Sequence, residues 1–392
     1  MSINCLPPEC LLVIFNFLDQ LDDLRHCASV CSKWKLLILD RCSKVEYLLE
    51  NPFTDSPDNI VYIGPSPKLE NLELAQLFPR LKILDTSYTG LANWENATKR
   101  VKSIKGLINH TLDKNQSPIY FLNDLEMVST ELVDFFVVNQ HITRQLKQVF
   151  IQNVNLVKMN GVTSKFYNLR RLHIVDKNCF QKLYKGSKLH KLKILEFDFE
   201  SMAGVLVYPG FCFIDFCPNL ESAFFHVEST YCQFNTAIKI NCLRDLVIEY
   251  QNDNPREWSP FFRSGGNAQK WETLKCVLSK FPNLKHLALR NNLKIRDEDI
   301  EELLELLPNL VLLDVRGSIE ITHKSLVYIN QHCQRNKKLI TFYFDTDMQA
   351  QMDWPKLSVT GPDICHGFDF MKNCFFKPFR CLPLLMESTK EY

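Results

Sequence analysis

Nine times between residues 81 and 344 the chain writes Leu-x-x-Leu-x-Leu or a close aliphatic or aromatic variant of it. The copies begin at Leu81, Leu146, Leu169, Leu192, Leu220, Leu243, Leu284, Leu310 and Leu339. From Leu146 onward the starts lie 23, 23, 28, 23, 41, 26 and 29 residues apart. A period of this size is one supersecondary unit that cannot bury its own apolar face, so the units must stack into a continuous core. Several copies follow a turn of the Pro-Asn kind, at Pro79-Arg80, Pro218-Asn219, Pro282-Asn283 and Pro308-Asn309. The 65 residues between Leu81 and Leu146 leave room for one or two degenerate copies.

Within an anchor the apolar positions alternate as in a short strand, one side chain inward and the next outward. The segments that follow change to the helical period, with Leu274, Val277, Leu278 and Phe281 on one stripe and Ile300, Leu303, Leu304 and Leu307 on another. Asp297, Glu298 and Asp299 open the second of these and read as helix-start and solvated charge. Thr322 opens a further helix with Leu326, Ile329 and Cys333 on one face. Strand, turn and helix repeated in this order resemble a leucine-rich-repeat solenoid, an α/β fold of parallel strands and helices. That resemblance implies a body over residues 46–345 with about 8–10 irregular repeats. The polar Asn expected after each strand is clear only at Asn292, and the long interval after Leu243 contains an insertion at residues 252–269. Residues 346–392 lose the repeat and read as a tail that caps the open end of the array.

Residues 1–45 form a different module. Pro7 and Pro8 suit the first turn of a helix, where their missing donors are no loss. Leu11, Ile14, Phe15 and Leu18 make one stripe, Asp22 or Asp23 caps a second short helix, and Ser29 opens a third carrying Val30, Trp34 and Leu37. Three such short helices are unstable alone in water. Their apolar residues outnumber what one small core uses, so the surplus faces the body or a partner. The run Leu6-Pro7, Glu9, Leu11, Ile14-Phe15, Leu18, Asp23-Leu24, Val30-Cys31, Trp34 resembles the F-box motif. In that family the module inserts into a Skp-type adaptor that binds a cullin scaffold. Carried over by position, the resemblance implies adaptor-binding roles for Leu6, Pro7, Ile14, Phe15, Leu18, Leu24, Val30, Cys31 and Trp34. Cys27 and Cys31 read as packing thiols.

No motif for chemistry stands out. Gly265-Gly266 lacks the context of a phosphate loop, and Cys365-His366, Cys374 and Cys381 lack paired metal-ligand spacing. The expectation is a non-catalytic adaptor subunit with no cofactor and no metal. Charges nearly cancel, 46 basic against 45 acidic, so neither nucleic acid nor a membrane is an expected partner. Fifteen scattered cysteines and no export-like start suggest reduced thiols in cytoplasm or nucleus. The sequons at Asn96, Asn109 and Asn115 point the other way, toward an extracellular repeat protein. In the resembling family the outward strand residues hold a protein substrate. Mapped here, these include His173, Glu196, Phe224, Glu249, Arg290 and Arg316. The resulting expectation is the substrate-recognition subunit of a Skp–cullin–F-box ubiquitin ligase that promotes ubiquitination and degradation. An interaction scaffold that never recruits the ligase is the alternative.

Overall fold

Each anchor from Leu169 to Leu310 folds as its alternation predicts: the first, fourth and sixth positions turn inward and are at most 1% exposed. Leu169, Leu172 and Ile174 form one such set, and Leu284, Leu287 and Leu289 another. The structure, a computed structural model, describes residues 3–50, 59–64, 73–98, 101–111, 119–154, 156–176, 183–199, 207–227, 231–250, 270–344 and 364–388. The insertion at 252–269, with Gly265-Gly266, and the sequon at Asn115 lie outside these residues. The chain divides into two units: Met1–Phe150 with Val359–His366 and Leu384–Glu387, and Ile151–Ser358 with Gly367–Pro383 and Ser388–Tyr392.

The first unit opens with helices α1 (Pro8–Asn16), α2 (Leu21–Val30) and α3 (Ser32–Cys42). Asp22 and Asp23 lie in the first turn of α2 beside its dipole, and Ser29 ends that helix by donating to the His26 carbonyl at 2.7 Å. Strands β1 (Tyr47–Leu49) and β2 (Ile60–Tyr62), helix α4 (Leu74–Leu77), strand β3 (Ile83–Asp85), helix α5 (Leu91–Thr98), strands β4 (Gly106–Asn109) and β5 (Met127–Leu132) and helix α6 (Asp134–Val138) follow. The strands pair in parallel in the order β5-β4-β3-β1-β2. Thus β4 and β5 fill the space between Leu81 and Leu146, whereas β1 and β2 lack the anchor pattern altogether. The helical module is pinned to this sheet. Arg41, buried on α3, donates to the Ile60 carbonyl at 3.0 Å, and the Tyr62 amide donates to the Asp19 carbonyl at 2.6 Å.

Strand β6 (Gln148–Asn153) contains the division between the units. The second unit continues with α7 (Leu156–Thr163), β7 (Arg171–Asp176), β8 (Ile194–Phe199), β9 (Val207–Tyr208), α8 (Gly210–Phe213), β10 (Ser222–Val227), β11 (Tyr231–Cys232) and β12 (Asp245–Tyr250). It ends with α9 (Trp271–Leu278), β13 (His286–Arg290), α10 (Asp297–Leu306), β14 (Leu312–Asp314), α11 (His323–Asn336) and β15 (Thr341–Tyr343). Its main sheet is parallel in the order β7-β8-β10-β12-β13-β14-β15. The Pro-Asn turns lock one repeat to the last: the side-chain amide of Asn219 donates to the His190 carbonyl at 2.8 Å, and that of Asn283 to the Asn241 carbonyl at 2.9 Å. Asn292 is buried and accepts from the amides of Lys294 and Ile295 at 3.0 and 3.1 Å, which turns the chain into α10. Gly317 is required at φ +77°, because a β-carbon there would stand 2.1 Å from the Asn291 side-chain oxygen.

Two expectations change. Leu339 does not enter the core as the anchor pattern implies; it is 87% exposed, because among the described residues β15 has a sheet neighbour only on the β14 side. Asp297 is not solvated. Its carboxylate is buried and accepts from Thr322 Oγ1 at 2.7 Å, Ser325 Oγ at 2.6 Å and both their amides, so one helix start holds the next. Of the tail expected as a cap, the described residues form strands β16 (Ile364–His366) and β17 (Leu385–Glu387), which pair in parallel in the first unit, while residues 367–383 lie against strands of the second.

Candidate functional site

Two surfaces carry the residues singled out in the sequence. On the helical module, burial separates the two stripes of α1. Leu11 and Phe15 turn inward, and Phe15 meets Trp34 edge to face at 5.0 Å. Cys10, Val13, Ile14 and Phe17, at i, i+3, i+4 and i+7, stand exposed on the other side, with Phe17 82% accessible. Leu36 and Leu39 on α3 are exposed as well. Lys33 donates to the Leu6 carbonyl at 2.8 Å, which brings the turn at Val30 and Cys31 beside Leu6 and Pro7. Of the nine motif residues, Pro7, Ile14, Val30 and Cys31 are therefore exposed and Leu6, Leu18 and Trp34 half-buried. Phe15 and Leu24, each 1% exposed, build the module's interior instead of its surface. Cys31 is not a packing thiol, since it sits in the exposed break between α2 and α3, and Cys27 is half-buried. Val13, Phe17, Leu36 and Leu39 belong to the module's apolar surplus but not to the motif, whose pattern alone does not separate inward from outward positions.

On the second unit, parallel register sets the outward side chains in rows. His173, Glu196 and Phe224 are direct neighbours across β7, β8 and β10. Asp198, His226, Glu249 and Arg290 form the next row across β8, β10, β12 and β13. Glu196 is fully buried and is held by Arg171 at 2.6 and 2.9 Å, by His173 Nδ1 at 3.0 Å and by the Cys374 thiol at 3.0 Å. Burial alone would raise this carboxyl, but Arg171, His173 and Cys374 outweigh it and hold it at about 2. Burial depresses His173, against the pull of Glu196, so the ring is neutral and Arg171 is the counter-ion. Arg290 pairs with Asp314 at 2.9 Å, and Arg316 closes on the same carboxylate at 2.8 Å.

Five of the six expected substrate residues are covered by the chain itself. Arg171 donates to the Pro383 carbonyl at 2.5 Å, and Arg290 donates to the carbonyls of Phe375 and, at 3.0 Å, Lys377. The Phe379 amide donates to Glu249 at 3.2 Å. Its ring enters between His173, Phe224 and His226, with centroid distances of 5.1, 5.4 and 5.8 Å. Only Arg316 keeps appreciable exposure. An unbroken solvent-facing strand surface, as the sequence suggests, is therefore corrected to a face occupied by residues 367–383. In the first unit the tail meets different chemistry: Ile364 and Leu385 join a buried cluster with Tyr47, Leu49, Ile83, Ile108 and Met127.

Among the described residues no group of three or more His, Cys, Asp or Glu is placed to hold a metal, and no helix is long and apolar enough to cross a membrane. Asn109 is fully buried in β4, so its sequon is closed to modification in the fold.

The architecture is that of an α/β protein in which a three-helix module precedes a body of parallel strands and helices. Residues 3–43 match the family described as F-box-like, and the chain carries an F-box-like domain there. No curated protein matches the chain. Among solved structures, the Rad7–Elc1 complex of yeast is 14% identical, with 81% of this chain and 90% of that one covered and a TM-score of 0.35. The TLR13–ssRNA13 complex is 12% identical, with 88% and 62% covered and a TM-score of 0.28. Similarity at that level carries no inference about role.

Proposed function

We propose that this chain is a non-catalytic substrate adaptor of a Skp–cullin–F-box ubiquitin ligase. The observation that carries the reading is the F-box-like domain at residues 3–43 together with the apolar surface it leaves uncovered, Val13, Ile14, Phe17, Val30, Leu36 and Leu39. Apolar side chains concentrated on so small a module have the character of an interface core. A Skp-type adaptor covers them in this reading, a cullin follows through the adaptor, and the repeat body presents a protein substrate. The contribution to catalysis is positional: a target lysine is kept at high local concentration near a charged conjugating enzyme. The bonds from Arg41 and Tyr62 that fix the module to strand β2 suit this role, because a loose joint would dilute that gain.

Co-purification of the full chain with a Skp-type adaptor and cullin tests it. The wild type captures both, and a Val13→Asp/Phe17→Asp variant that keeps its circular dichroism captures neither. Capture of the adaptor without the cullin would favour the scaffold reading, and capture of neither by the wild type would end the adaptor assignment.

A further inference from the structure

The strand faces of the two units differ in a way that assigns a role to residues 367–383. In the first unit the tail completes an apolar core through Ile364 and Leu385, and Gln148, Tyr47 and Lys82 bond Met386 and Glu387. In the second unit the covered face carries paired polar side chains, several of which also bond the tail. Arg171 keeps Glu196, Arg290 keeps Asp314, His226 keeps Asp198 at 2.7 Å, and His286 keeps Asp245 at 2.7 Å. Paired charges lose little when such a face is opened to water, because their attraction only about repays their desolvation.

Residues 367–383 supply this face mostly with main-chain groups: three carbonyls, from Phe375, Lys377 and Pro383, and the amide of Phe379. Any peptide segment carries such groups, which are presented here by turns at Met371–Phe375 and Phe379–Cys381. The side chain that distinguishes the occupant is the Phe379 ring, inserted beside His173, Phe224 and His226, with the Cys374 thiol and the Phe375 ring beneath Arg290 as lesser additions.

We propose that the outward face of the second unit is a peptide-binding site, that residues 367–383 occupy it as an internal ligand, and that the substrate it serves is a protein segment whose aromatic side chain takes the place of Phe379. This inference rests on the adaptor reading for the word substrate, and on the face alone for the binding. Because the occupant is tethered, a competing segment meets a site already filled at high effective concentration. The site is therefore weak toward free peptides until the internal ligand is loosened.

Two measurements on the full-length chain decide it. The first is the binding of a fluorescein-labelled peptide with the sequence of residues 370–384, followed by anisotropy. A Phe375→Ala/Phe379→Ala chain binds it at least tenfold more tightly than the wild type, and a probe with alanine in place of Phe379 loses at least tenfold. The second is amide hydrogen exchange of the wild type: Phe379 and Leu382 exchange well before Phe225 and Ile248 of the strands beneath. If the folded double variant binds the probe no better than the wild type, or if the tail amides exchange only together with those strands, the segment is core and the proposal fails. Adaptor capture, run on the same preparations, depends on residues 3–43. Its loss with peptide binding intact would remove the ligase reading and leave the peptide site standing.

Discussion

Arg171 divides its guanidinium between a side chain on the next strand and a carbonyl more than two hundred residues away, binding Glu196 at 2.6 Å and Pro383 at 2.5 Å. Both arginine and glutamate are almost wholly buried. The pair is thus the point where the repeat sheet and the tail of the second unit share one set of hydrogen bonds.

Removing one half of such a pair strands the other. Arg171→Met is expected to lower stability by about 3–5 kcal/mol, because it leaves a buried carboxylate without its counter-ion. Adding Glu196→Leu to that variant should recover most of the loss, since two apolar groups need no partner. Thermal unfolding of the single and double variants reads this. A single-variant loss below about 1 kcal/mol would mean that water reaches the pair and that the tail does not cover it.

The two stripes of α1 should respond in opposite ways. Phe15→Ala removes a buried ring packed on Trp34 and is expected to cost about 3–5 kcal/mol of stability. Phe17→Ala, at a site already open to water, should change stability by no more than about 0.5 kcal/mol while weakening adaptor capture. Chemical denaturation alongside co-purification separates them. Equal stability losses in the two variants would show that the inward and outward faces are assigned wrongly.

What could be read from sequence followed from periodicity. The repeat strands announce themselves because the inward positions of the anchors from Leu146 to Leu310 are all apolar and all buried, so burial and pattern are one signal. The two strands at Tyr47–Leu49 and Ile60–Tyr62 have no such spacing, and the first anchor, at Leu81, belongs to the third strand. Site positions were legible as strand-outward residues, and their alignment into rows follows from parallel register alone. Their occupancy was not legible. Nothing in the local pattern around Glu196 indicates a thiol from Cys374 lying 3.0 Å away, because that contact depends on how a segment without repeats packs across the sheet. Asp297 escaped for a related reason: an acid at a helix start is usually read against its own dipole, yet this one caps the helix that follows.

That cap gives a measurable consequence. Asp297→Ala removes the acceptor for two hydroxyls and two amides at the start of α11, so a loss of about 1–3 kcal/mol is expected. Burial works to raise this carboxyl, but Ser325 and Thr322 together hold it below its ordinary value. Its contribution is therefore present above the ordinary carboxylate range and is lost as the pH falls through the lowered folded value. Hydrogen exchange of the α11 amides in the alanine variant checks the effect. Unchanged protection there would show that the helix start does not depend on Asp297.

A second pH effect belongs to the first unit. His110 donates to or accepts from Ser129 Oγ at 2.6 Å and stacks on Phe150, and burial depresses it from 6.5 to about 4. In the unfolded chain the ring takes its proton near pH 6.5, whereas in the fold it resists until about 4. Protonation thus favours unfolding. The stability is complete above pH 6.5 and drains as the pH falls toward 4, by at most about 3 kcal/mol at one proton per molecule. His173 shifts in the same direction in the second unit, while Glu196 adds its own loss only lower, between its ordinary 4.5 and about 2. Melting temperatures measured from pH 7.5 to 4.5 should therefore fall for the wild type and fall less steeply for His110→Gln. Identical slopes would mean that His110 is hydrated in the folded chain and titrates as it does in the unfolded one.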